Sequence, residues 1–427
     1  MPAQQAPRLR TGSPPRNPAA YRVALVHSFY SSRRPSGENA AVLDQAEALR
    51  AAGHEVTLVA AHTDALESER GYTLRAAVRV ATGRGRSPLT ELRRLGPDVV
   101  HVHNLFPNFA TDWLDRWPGA VVATLHNYRP VCAAATLFRD GKTCTACPDG
   151  DRWTGLRHGC YRGRRGATLP LAWAGRRGAA AHPLLRRAQR LVTLSERSRD
   201  LYLRFGVPSE KLALVPNFVG FGSPAGPEDR TTAATGADRA ATAPGAAARW
   251  VYVGRLSDEK GVLPLLRSWP DNEPLDVIGS GPLESACREA APGGVRLLGA
   301  LPRREITARL PRYTGLVFPS VCPESATALV CQEALAAGVP VLALAGSAAA
   351  DSVRGNGTGA VYGGPGELPL ALATARERFP RLREHCRRVH AERYSARSWT
   401  AAMEAVYAQA LAHAAGRRPA GVTERAC

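Results

Sequence analysis

Residues 250–261 read WVYVGRLSDEKG, an apolar run that ends in a glycine and an arginine, then a short acidic patch, Lys260 and a second glycine. The run has the length and composition of a buried strand, and the following KGVLPLLRSW has helical spacing. Arg255 is therefore expected at the strand's C-terminal end, with Ser257 as N-cap of the helix. Lys260 is expected in the first helical turn, where a cation meets the positive end of the helix dipole. An anion between Arg255, Lys260 and the helix start turns that repulsion into attraction, and a phosphate group fits. The competing reading is a solvated surface on which Asp258 and Glu259 neutralise the two cations.

The same strand-then-helix unit recurs on both sides. Upstream, YRVALVHSF (21–29), VTLVAA (56–61), PDVVHVHNL (97–105), AVVATLHN (120–127), QRLVTLSE (189–196) and KLALVPNF (211–218) read as strands. Between the first two, Val42, Ala46 and Leu49 recur at helical spacing, closed by Gly53. Downstream, PLDVIGSG, GVRLLGAL, TGLVFPS and VPVLALAG read as strands, with SACREA and TALVCQEALAAG as helices. The alternation predicts an α/β chain of two Rossmann-like, doubly wound parallel-sheet domains. Its expected parts are a disordered basic tail (1–20) and a first domain (21–221) carrying a cysteine-rich insertion (130–165). A Gly/Ala/Thr-rich linker (222–248), a second domain (249–395) and a C-terminal helix and tail (396–427) follow. Open parallel sheets bind ligands beyond the C-terminal ends of their strands, so two such crevices facing each other make one central cleft.

A chain of 427 residues exceeds one compact core, and its 44% apolar content is ordinary for a folded protein. The formal charge of +19 favours anionic partners. Its arginines are spread along the chain rather than interleaved with aromatics, which argues against nucleic acid. The N-terminus has no apolar signal core and no segment offers eighteen consecutive apolar residues, so the expected location is cytoplasmic. The basic surface adds peripheral contact with anionic lipid at the inner membrane face as an expectation. Of nine cysteines, Cys132, Cys144, Cys147 and Cys160 form C-x11-C-x2-C-x12-C. Four thiols with one close pair are candidate ligands for a structural zinc ion, with His158 in reserve; disulfides or four free thiols are the alternatives.

Three further constellations carry chemistry. In PSVCPESATALVCQEALAAGVPVLA (319–343), Glu324 precedes a helix and Glu333 lies within it. A carboxylate there can accept two hydrogen bonds from a vicinal diol such as a ribose. In the SGEN turn (36–39), Gly37 lets the backbone approach a ligand closely. In LHNYR (125–129), His126 ends a strand at the rim of the proposed cleft.

In this order the segments resemble the GT-B glycosyltransferases, specifically the large retaining group called glycosyltransferase family 4, over residues 21 to about 410. VGRLSDEKG resembles that family's Arg-x4-Lys phosphate clamp, and the Glu324/Glu333 segment its paired-glutamate signature. SGENAAVLDQAEALRAAGHEV, PDVVHVHN, LSERSR, VPNF and VIGSGPL also fall in family order. The segment from TLHNYRP to GCYRGRR resembles a subgroup of bacterial surface-polysaccharide transferases. One departure stands out: eight residues separate Glu324 from Glu333 where the family has seven. Nine steps of about 100° would put the pair on opposite faces of one helix, so the extra residue belongs to the preceding loop.

The resemblance implies retaining transfer of a hexosyl group from a nucleotide sugar, a UDP-sugar by default, to a glycan, lipid-linked or small-molecule acceptor. It implies no cofactor for catalysis, consistent with the lack of an Asp-x-Asp pair in the cleft motifs. Arg255 and Lys260 would stabilise the leaving diphosphate, with Gly37, Gly279 and Glu333 completing the donor site. Glu324 would position sugar hydroxyls, and His126 would contact the sugar and support charge at the reacting centre. Two other readings were weighed: a nucleotide-sugar 2-epimerase of the same fold, and a zinc-containing nucleic-acid-binding protein.

Overall fold

The computed structural model describes residues 20–31, 37–220, 249–323 and 328–416. The expected tail up to residue 19, the 222–248 linker and Glu324 lie outside the described residues. In the first half, Arg22–Phe29 (β1), Glu55–His62 (β2), Val99–Asn104 (β3) and Ala120–Thr124 (β4) are strands. A small hairpin follows, Phe138–Arg139 (β5) with Lys142–Thr143 (β6), and then Arg190–Thr193 (β7) and Leu212–Leu214 (β8). The second half contributes Trp250–Val253 (β9), Leu275–Ile278 (β10), Val295–Gly299 (β11), Gly315–Phe318 (β12), Val341–Leu344 (β13) and Gly359–Tyr362 (β14).

The strands form two six-stranded sheets, ordered β2-β1-β3-β4-β7-β8 and β11-β10-β9-β12-β13-β14. Their neighbours pair in parallel throughout. A parallel sheet is covered on both faces, which is why β3 and β4 are buried at every position. The strand order reverses between β1 and β3 in the first sheet and between β9 and β12 in the second. At these points neighbouring connections leave in opposite directions and open a crevice beyond the strand ends. The motif-bearing segments around Gly37, Arg255 and residues 319–323 all follow strands that flank a switch point.

Helix Gly37–Ala51 buries Ala41, Val42, Ala46 and Leu49, as its spacing predicts. Two elements add to the sequence reading. A long helix, Leu368–Arg393, runs through Pro380, a residue that normally breaks such a pattern. The final helix, Ala396–Ala415, does not stay with the second domain. Its Trp399, Met403, Val406 and Tyr407 pack with Val23, Leu25, Leu49 and Val122 of the first. The Tyr407 hydroxyl and His101 Nδ1 are 2.8 Å apart beneath the sheet. Among the described residues no helix is long and apolar enough to cross a membrane.

The returning helix makes a stability prediction. Met403 is fully buried in the first domain's core. Met403→Ala should destabilise the protein by about 2–5 kcal/mol, whereas Leu370→Ala, at a side chain 74% exposed, should leave the thermal midpoint unchanged. Equal midpoints for the two variants would refute the docking of this helix.

Candidate active site

The second domain's rim is built from backbone packing. After β9, Gly254 N–H donates to Ile278 O (3.0 Å) and Leu256 N–H to Ser280 O (3.0 Å). This seats the loop on the one that follows β10. A Cβ on Gly279 would lie 1.9 Å from Gly254 O, so only glycine fits there. Gly279 thus supports the shape of the rim from beneath.

Residues 258–260 form a single 3-10 turn, and the α-helix starts only at Val262, after Gly261 in the left-handed region (φ 68°). The sequence reading placed Lys260 in the first α-helical turn with Ser257 as its cap; the structure corrects both. Gly261 is required because a Cβ there would meet Pro319 O at 2.1 Å. The Ser257 hydroxyl caps no helix and donates instead to Glu259 Oε1 at 2.7 Å. Arg255 is ion-paired with the same Glu259 oxygen, although its side chain is 63% exposed. Burial alone would raise the Glu259 pKa, but the hydrogen bonds from Arg255 and Ser257 outweigh it and hold the carboxyl below its usual range. The neutralisation expected on a solvated surface is therefore present for Arg255.

Glu259 also joins this loop to the next. Its carbonyl accepts from Ser320 Oγ (3.1 Å) and Val321 N–H (3.2 Å), which binds residues 255–261 to the loop after β12. Glu333 lies in helix Leu329–Ala336 and is buried, accepting from Arg303 Nε at 2.6 Å. The same guanidinium donates to Asp44 Oδ2 of the first domain at 3.1 Å. A Cβ on Gly37 would lie 3.6 Å from Leu329, and Arg197 donates to Asp351 across the cleft at 2.8 Å. The starts of helices 37–51 and 329–336 therefore face each other across the cleft.

The first domain's rim carries a row of histidines. His101 is held between Tyr407 and Thr124 Oγ1, each at 2.8 Å. His103 Nδ1 and His126 Nε2 are 3.0 Å apart, so one neutral ring donates to the other. His27 Nε2 meets Asn39 Oδ1 at 3.0 Å. Burial lowers the pKa of His27 to about 4 and of His101 and His126 to about 3. It also drives His103 well below the usual value, with the neighbouring rings adding to the effect. His126 is neutral at pH 7, so any support it gives to charge comes from an N–H dipole and not from an imidazolium.

Sequence reasoning passed over Glu38 and Arg303. Glu38 Oε2 accepts from Asn127 Nδ2 at 2.9 Å, Oε1 has no hydrogen-bond partner, and burial raises the pKa to about 7. An acid beside Gly37 in the SGEN turn was the available signal; Arg303 gave none, because both its partners are distant in sequence.

The four cysteines of the insertion form no disulfide and line one cavity of about 20 Å³. Gly155 N–H donates to Cys147 Sγ at 3.2 Å, and burial followed by the neighbouring cysteines pushes the Cys147 thiol up to about 11. His158 is exposed and does not line the cavity. Among the described residues no three His, Cys, Asp or Glu side chains already stand as a metal-binding group.

Comparison with known proteins places these features in context. The model described as Glycosyltransferase Family 4 matches residues 35–220, and that described as Glycosyl transferases group 1 matches residues 247–379. No curated protein matches the sequence. Among solved structures, sucrose-phosphate synthase from Thermosynechococcus elongatus is similar at 17% identity and a TM-score of 0.65, covering 92% of this chain and 99% of its own. The catalytic domain of starch synthase IV from Arabidopsis thaliana, bound to ADP and acarbose, is similar at 13% identity and a TM-score of 0.63, covering 92% and 100%. Anabaena HepE in complex with UDP and glucose is similar at 14% identity and a TM-score of 0.55, covering 91% and 99%. At such identities the structures speak for the fold: the chain has the GT-B fold of two Rossmann-like domains.

The histidine row gives a pH signature. Each of these rings has a folded pKa below the ordinary 6.5. The unfolded chain therefore binds protons first, and stability is full above pH 6.5 and lost as pH falls toward 4. The loss is about 1.4 kcal/mol per pH unit for each histidine. Thermal midpoints should fall steeply from pH 6.5 to 5, and His101→Gln should flatten the slope; a flat profile would contradict the buried row.

Proposed function

We propose that this chain, a glycosyltransferase of the GT-B fold, transfers a sugar with retention from a UDP-sugar to a glycan, lipid-linked or small-molecule acceptor. One observation carries the reading. The Arg255–Lys260 loop and the loop leading to Glu333 are bonded together at the second sheet's switch point, opposite Gly37 of the first domain. The structure of HepE in complex with UDP-glucose supports a UDP-linked donor.

Breaking the anomeric C–O bond leaves negative charge on the diphosphate. Arg255 and Lys260 stabilise that charge, and Glu259 holds Arg255 in place until the phosphates compete for it. Glu333 holds the ribose; a carboxylate has two oxygens, and Arg303 engages one of them. Glu324 keeps its proposed role at the sugar hydroxyls on resemblance alone, and His126 meets the sugar as a neutral hydrogen-bonding ring. The leaving phosphate takes the acceptor's proton, so no enzyme base is assigned and no metal is required. The protein works in the cytoplasm, with the basic surface allowing contact with anionic lipid at the membrane face.

The four cysteines are proposed to hold a structural zinc ion. A cavity of about 20 Å³ accommodates one ion-sized occupant, and side-chain rotation would bring the sulfurs to ligand distance. The insertion also carries four non-glycine residues with positive φ: Ala135, Leu137, Asp140 and Arg162. Such conformations persist only when the surroundings hold them.

Two measurements follow. In a thermal-shift panel of UDP, GDP, ADP and dTDP, UDP should stabilise the protein most. Arg255→Ala should weaken UDP about 10- to 100-fold while Glu259→Gln leaves it bound; equal small effects of both would mean a surface ion pair. Elemental analysis of the purified protein should give one zinc per chain, lost in Cys144→Ser, and disulfides or metal-free protein would refute the zinc site.

A further inference from the structure

A second cavity, of about 130 Å³, lies in the first domain beside His126. It is walled by the C-terminal ends of β3 and β4, by residues 129–133 of the cysteine-rich insertion, and by helix Arg165–Gly175 with the segment after it. Leu105, Phe106, Phe109, Leu125, Leu171 and Leu184 supply an apolar lining.

The polar lining is unusual in two respects. Arg79, Arg129 and Arg152 line the cavity, and among the described residues no carboxylate does, although Glu38 acts on Arg129 through space. Each guanidinium is instead held by backbone carbonyls: Arg79 by Pro107 (3.0 Å), Arg129 by Ala133, and Arg152 by Cys147 and Pro148 (2.6 and 2.8 Å). Arg129 is further fixed over the Phe106 ring at 4.5 Å. Carbonyls position an arginine without neutralising it.

Second, four nitrogens of the lining are buried without a hydrogen-bond partner: Nε of Arg79, Nε of Arg129, Nε2 of His103 and Nδ1 of His182. His103 is only 4% exposed. These four form a polar pattern behind the cavity wall: the guanidinium nitrogens are donors, the imidazole nitrogens donate or accept according to tautomer, and all have almost no accessible surface. The volume is close to the ~150 Å³ known to hold a benzene ring, so the pattern surrounds a space the size of one six-membered ring.

We propose that this cavity is the acceptor subsite, and that it takes a ring-sized acceptor group bearing an anionic oxygen function. The arginines meet the anion, and the apolar wall covers the ring face. His126, which also lines the cavity, joins it to the cleft where the donor sugar arrives. The anion is either a carboxylate on the acceptor sugar or a phosphate attached to it. The assignment of this ligand as acceptor rests on the glycosyltransferase reading; the binding of an anionic ring does not.

The test is calorimetric binding to the full-length protein of glucuronic acid, glucose 1-phosphate and neutral glucose, with UDP binding measured in parallel. At least one anionic sugar should bind about tenfold or more tightly than glucose. Tighter glucuronic acid identifies a carboxylate source, and tighter glucose 1-phosphate a phosphate source. Arg79→Gln and, separately, Arg129→Gln should each remove about tenfold of that preference while leaving UDP affinity and the thermal midpoint of the protein unchanged. Glucose binding as tightly as both anions, or anion binding unaltered in both variants, would overturn the proposal. If the wild type fails to bind UDP, the donor reading falls while the cavity is still decided by the three sugars.

Discussion

The second domain's rim depends on one carbonyl. Glu259 O accepts from Ser320 Oγ and Val321 N–H, and so ties together the two loops that diverge at the second sheet's switch point. Each such bond contributes only about 1 kcal/mol, but the loops need more than affinity for each other: they must keep a fixed spacing. Gly261 permits that spacing by letting the Pro319 carbonyl occupy the space of a side chain. The Glu259 carboxylate meanwhile restrains Arg255. One residue thus sets the relative position of the cationic loop and the loop that leads to the glutamate helix, through its backbone for the second and its side chain for the first.

Much of this scaffold was legible in the sequence, and the reason is physical. Strands buried on both faces must be continuous apolar runs, and WVYV, PDVVHVHNL and AVVATLHN cannot easily be anything else. Open parallel sheets bind ligands beyond the ends of such runs, so Arg255, Gly37 and His126 were proposed by position as much as by type. What escaped depends on distant contacts. Nothing in RSWTAAMEAVYAQALAHAAG says that the helix returns to the first sheet, because an apolar stripe does not name its partner. Arg303 is one arginine among many until Asp44 and Glu333 converge on it. The single 3-10 turn at 258–260 was misread as an α-helical start because the carbonyl that forces the break, Pro319 O, lies far along the chain.

The histidine row shows how the same strand ends can be both structural and chemical. His101 is enclosed between Tyr407 and Thr124 and serves the packing of the last helix. Two residues on, along the same face of β3, His103 leans on His126 at the rim while its other nitrogen stays buried without a partner. Burial makes both rings neutral, so each can donate or accept but cannot carry charge. Cationic chemistry in this cleft therefore belongs to arginine and lysine, whose charge survives burial, and the histidines supply direction.

Which arginines are available for ligands is settled by their partners and not by their number. The chain carries a net +19, so its cations cannot all find acids. In the second domain the buried acids are consumed: Arg249 and Arg296 share Asp276, and Arg303 spans Asp44 and Glu333. An arginine matched in this way is structural until something displaces its partner, which is the situation of Arg255 with Glu259. Around the first domain's cavity the direct partners differ, since Arg79, Arg129 and Arg152 are oriented by backbone carbonyls, with Glu69 and Glu38 acting on Arg79 and Arg129 only through space. Solvated surface arginines lose little by lacking a carboxylate, because water screens them. A guanidinium lining a half-enclosed, largely apolar cavity is screened less, so its field favours an anion over a neutral group in that space.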